Sequence, residues 1–571
     1  MDRNNTQIPL HIWWIKRDIR IADNAALNSA LERARETEGA IAALYLLDDA
    51  VKNHPETSLH HARMIDPALT DVKNRLDRLN IPLLYSQSEF SNVLENLHAT
   101  GLNVISVHSH QETGTAAGYK RDRALKVLFQ KYGISWTEEY RNGVIRGLSD
   151  REKRISIFRE RMNGTVFNTP DSLVHPGDDA MSSNTIQSSG QADVQKRLLS
   201  ILEMKMKDVH YHSGLLVSDI IPLAPDPASE NYASQLTDSL QRDIPRFFPD
   251  NETAVLVESL KPPGERVALN EHSFQLCSEK AAEETIESFL FHRGVGYSGG
   301  MSSMNSAPDA CSRFSVHLAW GTMSMRRAIQ RTQSRQSELR NSPSPPWGKS
   351  LQSFMKRLHW HDHFSQRLED EPEIELHPLN RAYTGFSLPQ DWQRRFWAWV
   401  LGSTGYPYVD ASIRHFRRSG YLSFRARAMI TSFAIHVLHL PWRLVMYPMA
   451  QMMADYVPGI HISQLQMQAG LTGINTLRVY NPTKQLADHD PECEFVQAEI
   501  PELQTAYPEE IHALPELQIS GYSTSGVEYK TESGIYKKEY FTIKKSDAAK
   551  MEAERVLKKH GSRLGNRRKR P

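Results

Sequence analysis

The chain has 571 residues, 40% hydrophobic and 24% charged, an ordinary balance for folded protein and enough length for more than one core. Its net charge of +1 excludes nucleic-acid attraction by the field of the whole molecule, so any such contact needs a local basic patch. The three cysteines are too few and too scattered for a disulfide framework or a zinc or iron-sulfur motif, and neither a membrane-length apolar run nor an apolar signal core is present.

Two folded domains and a cytoplasmic location are therefore expected. In chain order, "IPLHIWWIK" is strand-like, "NAALNSALERARE" helical, "AIAALYLLDD" a strand, and "ALTDVKNRLDRLN" helical. Then come "IPLLYS", "FSNVLENLHATG", "NVISVHSH" and "TAAGYKRDRALKVLFQKYG", again strand, helix, strand, helix. This alternation predicts a parallel, Rossmann-like α/β domain over residues 1–145. From Asn163 to Ala192 periodicity gives way to Ser, Asn, Gly, Asp and Pro, which predicts a linker or surface loop within a region 146–270 that leads into helices. Nearly every segment from Glu271 to Tyr456 is helical, so residues 271–505 are expected to form an all-α domain. The remainder, 506–571, reads as a polar tail whose final cations, Arg567, Arg568, Lys569 and Arg570, form a solvated end or a signal.

Two motifs carry little. "GVGYSG" (Gly294 to Gly299) satisfies G-x-G-x-x-G but follows a helix and opens no strand-to-helix turn, so a loop is expected. His359, His361, His363 and Asp362 include metal-binding residue types, with His359 and His363 on one helix face, but no third ligand is identifiable and no metal is assigned. The stretch "DYVPGIHISQLQMQAGLTGINTLRVYNPTKQ" (Asp455 to Gln485) is different. It is poor in charge, has an amide or hydroxyl at every second or third position, and fits neither an amphipathic helix nor a buried strand.

"IKRDIRIADNAAL" (Ile15 to Leu27) resembles the opening of photolyases and cryptochromes, and four later segments agree in order. They are "CSRFSVHLAWGTMSMR" (Cys311 to Arg326), "RLHWHDHF" (Arg357 to Phe364), "GSTGYPYVDASIR" (Gly402 to Arg414) and "GYLSFRARAMI" (Gly420 to Ile430), followed by the stretch from Asp455. The resemblance implies a blue-light flavoprotein with FAD in the helical domain and an antenna chromophore of folate or deazaflavin type in the α/β domain. Ser312, Arg313 and Ser315, with Tyr297 nearby, match the phosphate-binding segment, and hydroxyls and a cation at a helix start suit a pyrophosphate; a plain N-cap is the alternative. Arg427 and Asp455 match the pair beside the isoalloxazine, or form a structural ion pair. His461 falls where the family places the side chain facing flavin N5, and Arg357, His361 and Arg425 complete the expected cofactor set.

The same comparison exposes departures. Of the tryptophan relay that reduces the flavin in the family, Trp442 matches the middle member and Trp392 lies near the outer one, but Leu465 replaces the innermost; Trp397, Trp399 and Trp360 are alternatives. Arg357 stands where the lesion-holding pattern begins with a carboxylate, while Trp360 survives and suits stacking on a flipped base. Ser423 and Phe424 occupy positions where an Asn is expected, and His461 matches neither the repair-enzyme Asn nor the photoreceptor residues. Arg394, Arg395, Arg414, Arg417, Arg418 and Arg425 form either the rim of a DNA groove or a solvated helix face. The expected activity is light-driven repair of pyrimidine photoproducts in damaged DNA by electron transfer, of deoxyribodipyrimidine photo-lyase type, with Trp360, His361, His461 and Trp442 as its candidate catalytic residues. The competing expectation is a cryptochrome-type photoreceptor.

Overall fold

The computed structural model describes residues 8–170, 189–203, 209–210, 216–217, 221, 224–249, 252–263, 274–341, 345–522 and 526–561. Strands β1 (Ile8–Ile15), β2 (Ala40–Leu46), β3 (Leu83–Ser86), β4 (Leu102–His110) and β5 (Ser135–Glu139) form one parallel sheet in the order β3-β2-β1-β4-β5. Parallel neighbours need crossovers, supplied by α1 (Ala25–Glu36), α2 (Leu59–Arg78), α3 (Phe90–Ala99) and α4 (Ala116–Tyr132). β2 is buried along its whole length, as expected where helices cover both faces. Trp13 and Trp14 point to opposite faces and enter separate cores. β5 has no counterpart in the expected elements: it is an edge strand, "SWTEE", with one large apolar residue and no run to betray it.

The segment that follows β1 is the joint between the domains. Ile19 N–H donates to the Trp320 carbonyl at 3.1 Å, Arg20 to the Gly321 carbonyl at 3.0 Å, and Ile21 N–H to the Glu279 carboxylate at 2.6 Å. Arg17 reaches the Tyr456 carbonyl at 2.7 Å, and Asn24 caps α1 by accepting from Leu27 N–H at 2.9 Å. Gly321 sits at φ +74°, where a Cβ would lie 2.2 Å from the Arg17 carbonyl oxygen. Gly321→Ala is accordingly expected to lower the unfolding free energy by about 2–4 kcal/mol, read as a fall in the urea midpoint at constant slope.

α5 (Arg154–Asn163) and α6 (Ser189–Leu202) come next. Most of the expected linker, residues 171–188, lies outside the described residues; 165–170 have no regular structure, and α6 starts before Ala192. Gln195 of α6 accepts from Ile41 N–H at 3.0 Å and donates to its carbonyl at 2.9 Å, covering the end of β2 that β3 does not reach. The helical domain contains α7 (Ser315–Trp320), α8 (Pro345–Asp370), α9 (Pro407–Ser419), α10 (Phe424–His436), α11 (Trp442–Met452), α12 (Pro458–Gln468) and α13 (Pro482–His489). Asn481 and Pro482 begin α13: the Asn481 side chain accepts from Lys484 N–H at 3.2 Å, and Pro482 takes the first helical position, where its missing N–H costs nothing. The "GVGYSG" stretch is short helical turns, Arg293–Gly296 and Tyr297–Gly300, instead of an open loop.

The expected polar tail is corrected over most of its length. It folds into α14 (Tyr529–Lys545) and α15 (Asp547–His560), and Tyr536, Tyr540 and Val556 enter the helical-domain core. Their charged neighbours mask the one-turn spacing of Tyr536 and Tyr540, which lies along one helix face. Arg567, Arg568, Lys569 and Arg570 lie outside the described residues. No helix among the described residues is long and apolar enough to cross a membrane.

Candidate functional site

The loop Cys311–Phe314, α10 and the α11–α12 junction converge in the helical domain. Arg427 of α10 and Asp455 pair through two contacts, Nη1 to Oδ1 at 3.0 Å and Nη2 to Oδ2 at 3.1 Å. Burial alone would raise the Asp455 carboxyl, but the Arg427 charge and hydrogen bonds from Arg427 and Ser315 outweigh it and hold the group below the ordinary carboxylate range. Ser315, Arg427 and Asp455, scattered in sequence, thus form one constellation. His461 is buried beside it: its Nε2 lies 2.9 Å from the Met446 carbonyl, its ring packs edge-on to Tyr456 at 5.8 Å, and burial lowers its pKa to about 4. The imidazole is neutral at physiological pH, with Nε2–H donating and Nδ1 left as the acceptor.

The loop itself is held open by arginines. Arg313 takes φ +57°, stacks over Tyr421 at 3.7 Å and bonds Gln275 at 3.2 Å. Arg293 donates to the Ser312 carbonyl at 2.5 Å and also to that of Cys311. Tyr297 packs against Phe289 at 5.4 Å and Phe354 at 6.1 Å, and burial pushes its phenol up to about 12 with Arg357 hydrogen-bonded to it. Burial also raises the Cys311 thiol, which shares a hydrogen bond with Tyr421. Tyr421 and Arg293 were not among the expected site residues. The aromatic inside "GYLSFR" was a signal for the first, whereas nothing local marks Arg293, which reaches the loop from 18 residues away.

On the outer face, Trp360 is 47% exposed and Phe424 50% exposed. The Arg357 guanidinium lies between them, 4.6 Å from the Trp360 ring centroid and 5.8 Å from that of Phe424. His361 turns away from this face: Nδ1 is 3.0 Å from Asp362, whose other oxygen accepts from Gly143 N–H at 2.7 Å, and Nε2 is buried without a partner. Arg425 has a buried Nε without a partner, and Ser423 caps α10 by accepting from Ala426 N–H at 3.3 Å.

The expected arginine rim is corrected. Arg417 is 0% exposed and donates to the carbonyls of Pro227, Ser229 and Leu401 at 3.2, 3.3 and 3.5 Å, so it cannot touch DNA. Arg418 pairs with Glu499, Arg414 with Glu502 at 2.6 Å, and Arg395 with Asp391 at 2.8 Å and Glu532 at 3.1 Å. Arg394 is exposed and bonds Asp391 at 2.5 Å. α9 carries three of these arginines but is itself buried, which helical charge counting could not reveal. The tryptophan relay gains no support from contacts: among the described residues none of Trp360, Trp392, Trp397, Trp399 and Trp442 makes a ring contact with another. Trp397 and Trp399 instead donate to the carbonyls of Lys261 at 2.7 Å and Ile430 at 3.1 Å, Trp442 starts α11 half-buried, and Leu465 is core.

An opening lies at the carboxyl ends of β1 and β2, where strand order reverses between β1 and β4. Trp14, Lys16, Arg121, His54 and Glu56 line it, with Tyr456 closing it from the helical side.

Fold and site together define a two-domain flavoprotein in which a parallel α/β domain is latched to a helical cofactor domain. Residues 11–146 match the DNA photolyase family model and residues 354–555 that of the FAD binding domain of DNA photolyase, together more than half of the chain. The chain belongs to the photolyase/cryptochrome family, and its helical domain is an FAD-binding domain. It is 24% identical over 510 residues to the deoxyribodipyrimidine photo-lyase of Salmonella typhimurium, covering 88% of this chain and 92% of that one. Its fold is similar to the Sulfolobus tokodaii photolyase with two FAD molecules (TM-score 0.62, 20% identity, 93% of this chain and 100% of the other). It is similar also to the Synechocystis cryptochrome (TM-score 0.63, 19% identity, 93% and 99%).

Proposed function

We propose that this protein is a light-driven DNA photolyase that repairs pyrimidine photoproducts with FAD held against the Ser315–Arg427–Asp455 constellation. The carrying observation is that constellation: a nearly buried carboxylate kept ionised by an arginine and a hydroxyl, beside a neutral imidazole with one free acceptor nitrogen. The residues fit the cofactor. The Arg425 Nε is buried without a partner, a cost that a polar ligand relieves, and the loop Ser312–Ser315 offers hydroxyls and the Arg313 cation for its phosphates. Bound FAD supplies blue-light absorption and single-electron transfer. The chain's part is positional: Arg427 would present positive charge to the ring system, Asp455 fixes the guanidinium, and His461 Nδ1 would accept a hydrogen bond from a ring N–H. Trp360 and Phe424 offer stacking surfaces for a base drawn out of the helix, and Arg357, a donor only, addresses carbonyl oxygens of the lesion. The opening at the ends of β1 and β2 suits an antenna chromophore of folate or deazaflavin type, with the Trp14 and Tyr456 rings in its wall; Lys16 and Arg121 there are already paired with Asp122 at 3.0 and 2.9 Å.

A photoreceptor is the second reading, favoured by the loss of the leading carboxylate to Arg357 and by the burial or pairing of Arg417 and Arg418. A repair assay on the chemically reduced protein, with a thymine-dimer oligonucleotide in blue light and in the dark, decides between them. Light-dependent loss of the dimer is expected; none at full flavin occupancy, with the (6-4) product tested in parallel, rejects repair. Trp360→Ala is expected to weaken damaged-oligonucleotide binding by about 1–3 kcal/mol, roughly 5- to 150-fold in Kd, measured by fluorescence anisotropy, with flavin content unchanged.

A further inference from the structure

Where α5, α8 and α15 meet, several cations gather without enough acid to match them. Phe158 of α5 packs on His359 of α8 at 4.7 Å, Arg151 donates to the Lys559 carbonyl of α15, and His560 bonds Glu371 just past α8 at 2.8 Å. Arg367 lies inside this junction. It is 6% exposed, its Nε and Nη1 are buried without partners, and among the described residues no carboxylate comes within ion-pair distance of it. Arg154 has a buried, unpartnered Nε as well. The nearby carboxylates are engaged elsewhere. Glu371 takes Arg555 at 3.0 Å, Lys559 at 3.2 Å and His560, Asp370 takes Gln366 at 2.8 Å, and Asp362 takes Gly143 and His361. A guanidinium this deeply buried without a counter-ion is costly, and a ligand oxyanion with several acceptor oxygens removes the cost.

We propose that Arg367, Arg154 and His363 form a binding site for a phosphate group, contributed by free phosphate or by a nucleic-acid strand. Arg154, Arg367, Arg151 and His560 all act on His363 in the same sense, after burial, to lower its pKa to about 3, which records how positive the niche is. The site adjoins the exposed aromatic face: Arg367 lies over the Phe364 ring at 5.6 Å, and Phe364 meets Trp360 at 6.5 Å. Trp360 and Arg367, seven residues apart on one helix, share a face about 10 Å apart along the axis. A strand with a base on Trp360 therefore has a phosphodiester within reach of this niche. Occupancy by a strand rests on the DNA reading above; the phosphate site itself does not.

Thermal melting of the full chain in inorganic phosphate, against chloride at equal ionic strength, tests the site. Phosphate at 10 mM is expected to raise Tm by about 2–4 °C. That rise should vanish in Arg367→Met, whose Tm in chloride should equal or exceed that of the wild type, because an uncompensated buried charge has gone. A purely structural arginine predicts the opposite, a lower Tm in chloride. Arg154→Met, on the rim of the niche, should lose at least half of the phosphate effect and serves if Arg367→Met does not fold. No phosphate-specific rise in the wild type, or a rise retained in both variants, overturns the proposal. Oligothymidylate binding at graded salt identifies the source. A log-log slope shallower by about 0.7 in Arg367→Met assigns the site to a strand phosphate, and an unchanged slope with the phosphate effect lost assigns it to free phosphate. Absence of oligothymidylate binding, with the melting result intact, counts against the DNA reading alone.

Discussion

Arg427→Ala is expected to yield a folded chain that does not retain FAD. The substitution removes the cation beside the cofactor niche and also leaves Asp455 ionised and nearly buried with only Ser315 for support. Breaking one side of such a pair costs about 3–5 kcal/mol in a fully buried setting, and Arg427, with a fifth of its side chain exposed, belongs toward the lower end. A loss of about 3 kcal/mol corresponds to more than 100-fold in affinity, enough to strip cofactor during purification. The ratio of flavin absorbance to protein should fall below about a tenth of the wild-type value, while far-ultraviolet circular dichroism stays unchanged. Asp455→Asn separates charge from shape: it removes the carboxylate that fixes the guanidinium, so it should lose flavin less completely than Arg427→Ala. Wild-type flavin content in Arg427→Ala would remove the constellation from the cofactor site.

Mild acid is expected to destabilise the protein through its buried imidazoles. In the sheet, Thr37, His11, Ser106, His108 and Ser29 form a continuous hydrogen-bonded chain with contacts of 2.7, 2.6, 2.7 and 2.9 Å. Burial lowers both imidazoles to about 4, with each other's charge and Arg33 adding to the effect on His11, and Arg33 to that on His108. Burial likewise lowers His61 to about 3 and His461 to about 4. These groups are neutral in the folded chain and take up protons near pH 6.5 in the unfolded chain. Their contribution to stability is therefore complete above about pH 6.5 and is lost as pH falls toward about 4. One imidazole shifted over that window accounts for on the order of 3 kcal/mol. Asp48, raised by burial to about 6, runs the other way and offsets part of the loss in the same window. A fall in Tm of more than about 5 °C between pH 7 and pH 5 is the expected result, flattened in a His11→Asn, His108→Asn double variant. A Tm independent of pH over that range would mean that these imidazoles are solvated or charged in the folded state.

The α/β domain was legible from sequence because its signals are local. Continuous apolar strands alternating with amphipathic helices report a parallel sheet wherever both faces are buried, and the strand and helix runs read from the sequence overlap the observed elements closely. The short motifs from Ile15 to Leu27 and from Cys311 to Arg326 also announced the family, although not what the first one does: its polar side chains hold the two domains together. β5 and the C-terminal helices escaped, since an edge strand needs little apolar surface and α14 buries a narrow aromatic stripe beneath lysines.

By itself, then, the sequence determined the strand-helix alternation of the first domain, the two-domain plan and the pairing of Arg427 with Asp455, because each depends on periodicity or on a short contiguous motif. The tertiary structure alone decided which charges are available. Arg417, Arg367 and Arg394 are the same residue type on helices of similar composition, yet one is spent on loop carbonyls, one is buried without a counter-ion and one faces solvent. Which fate each meets depends on what distant segment packs against it, and that information is not carried within a helical turn.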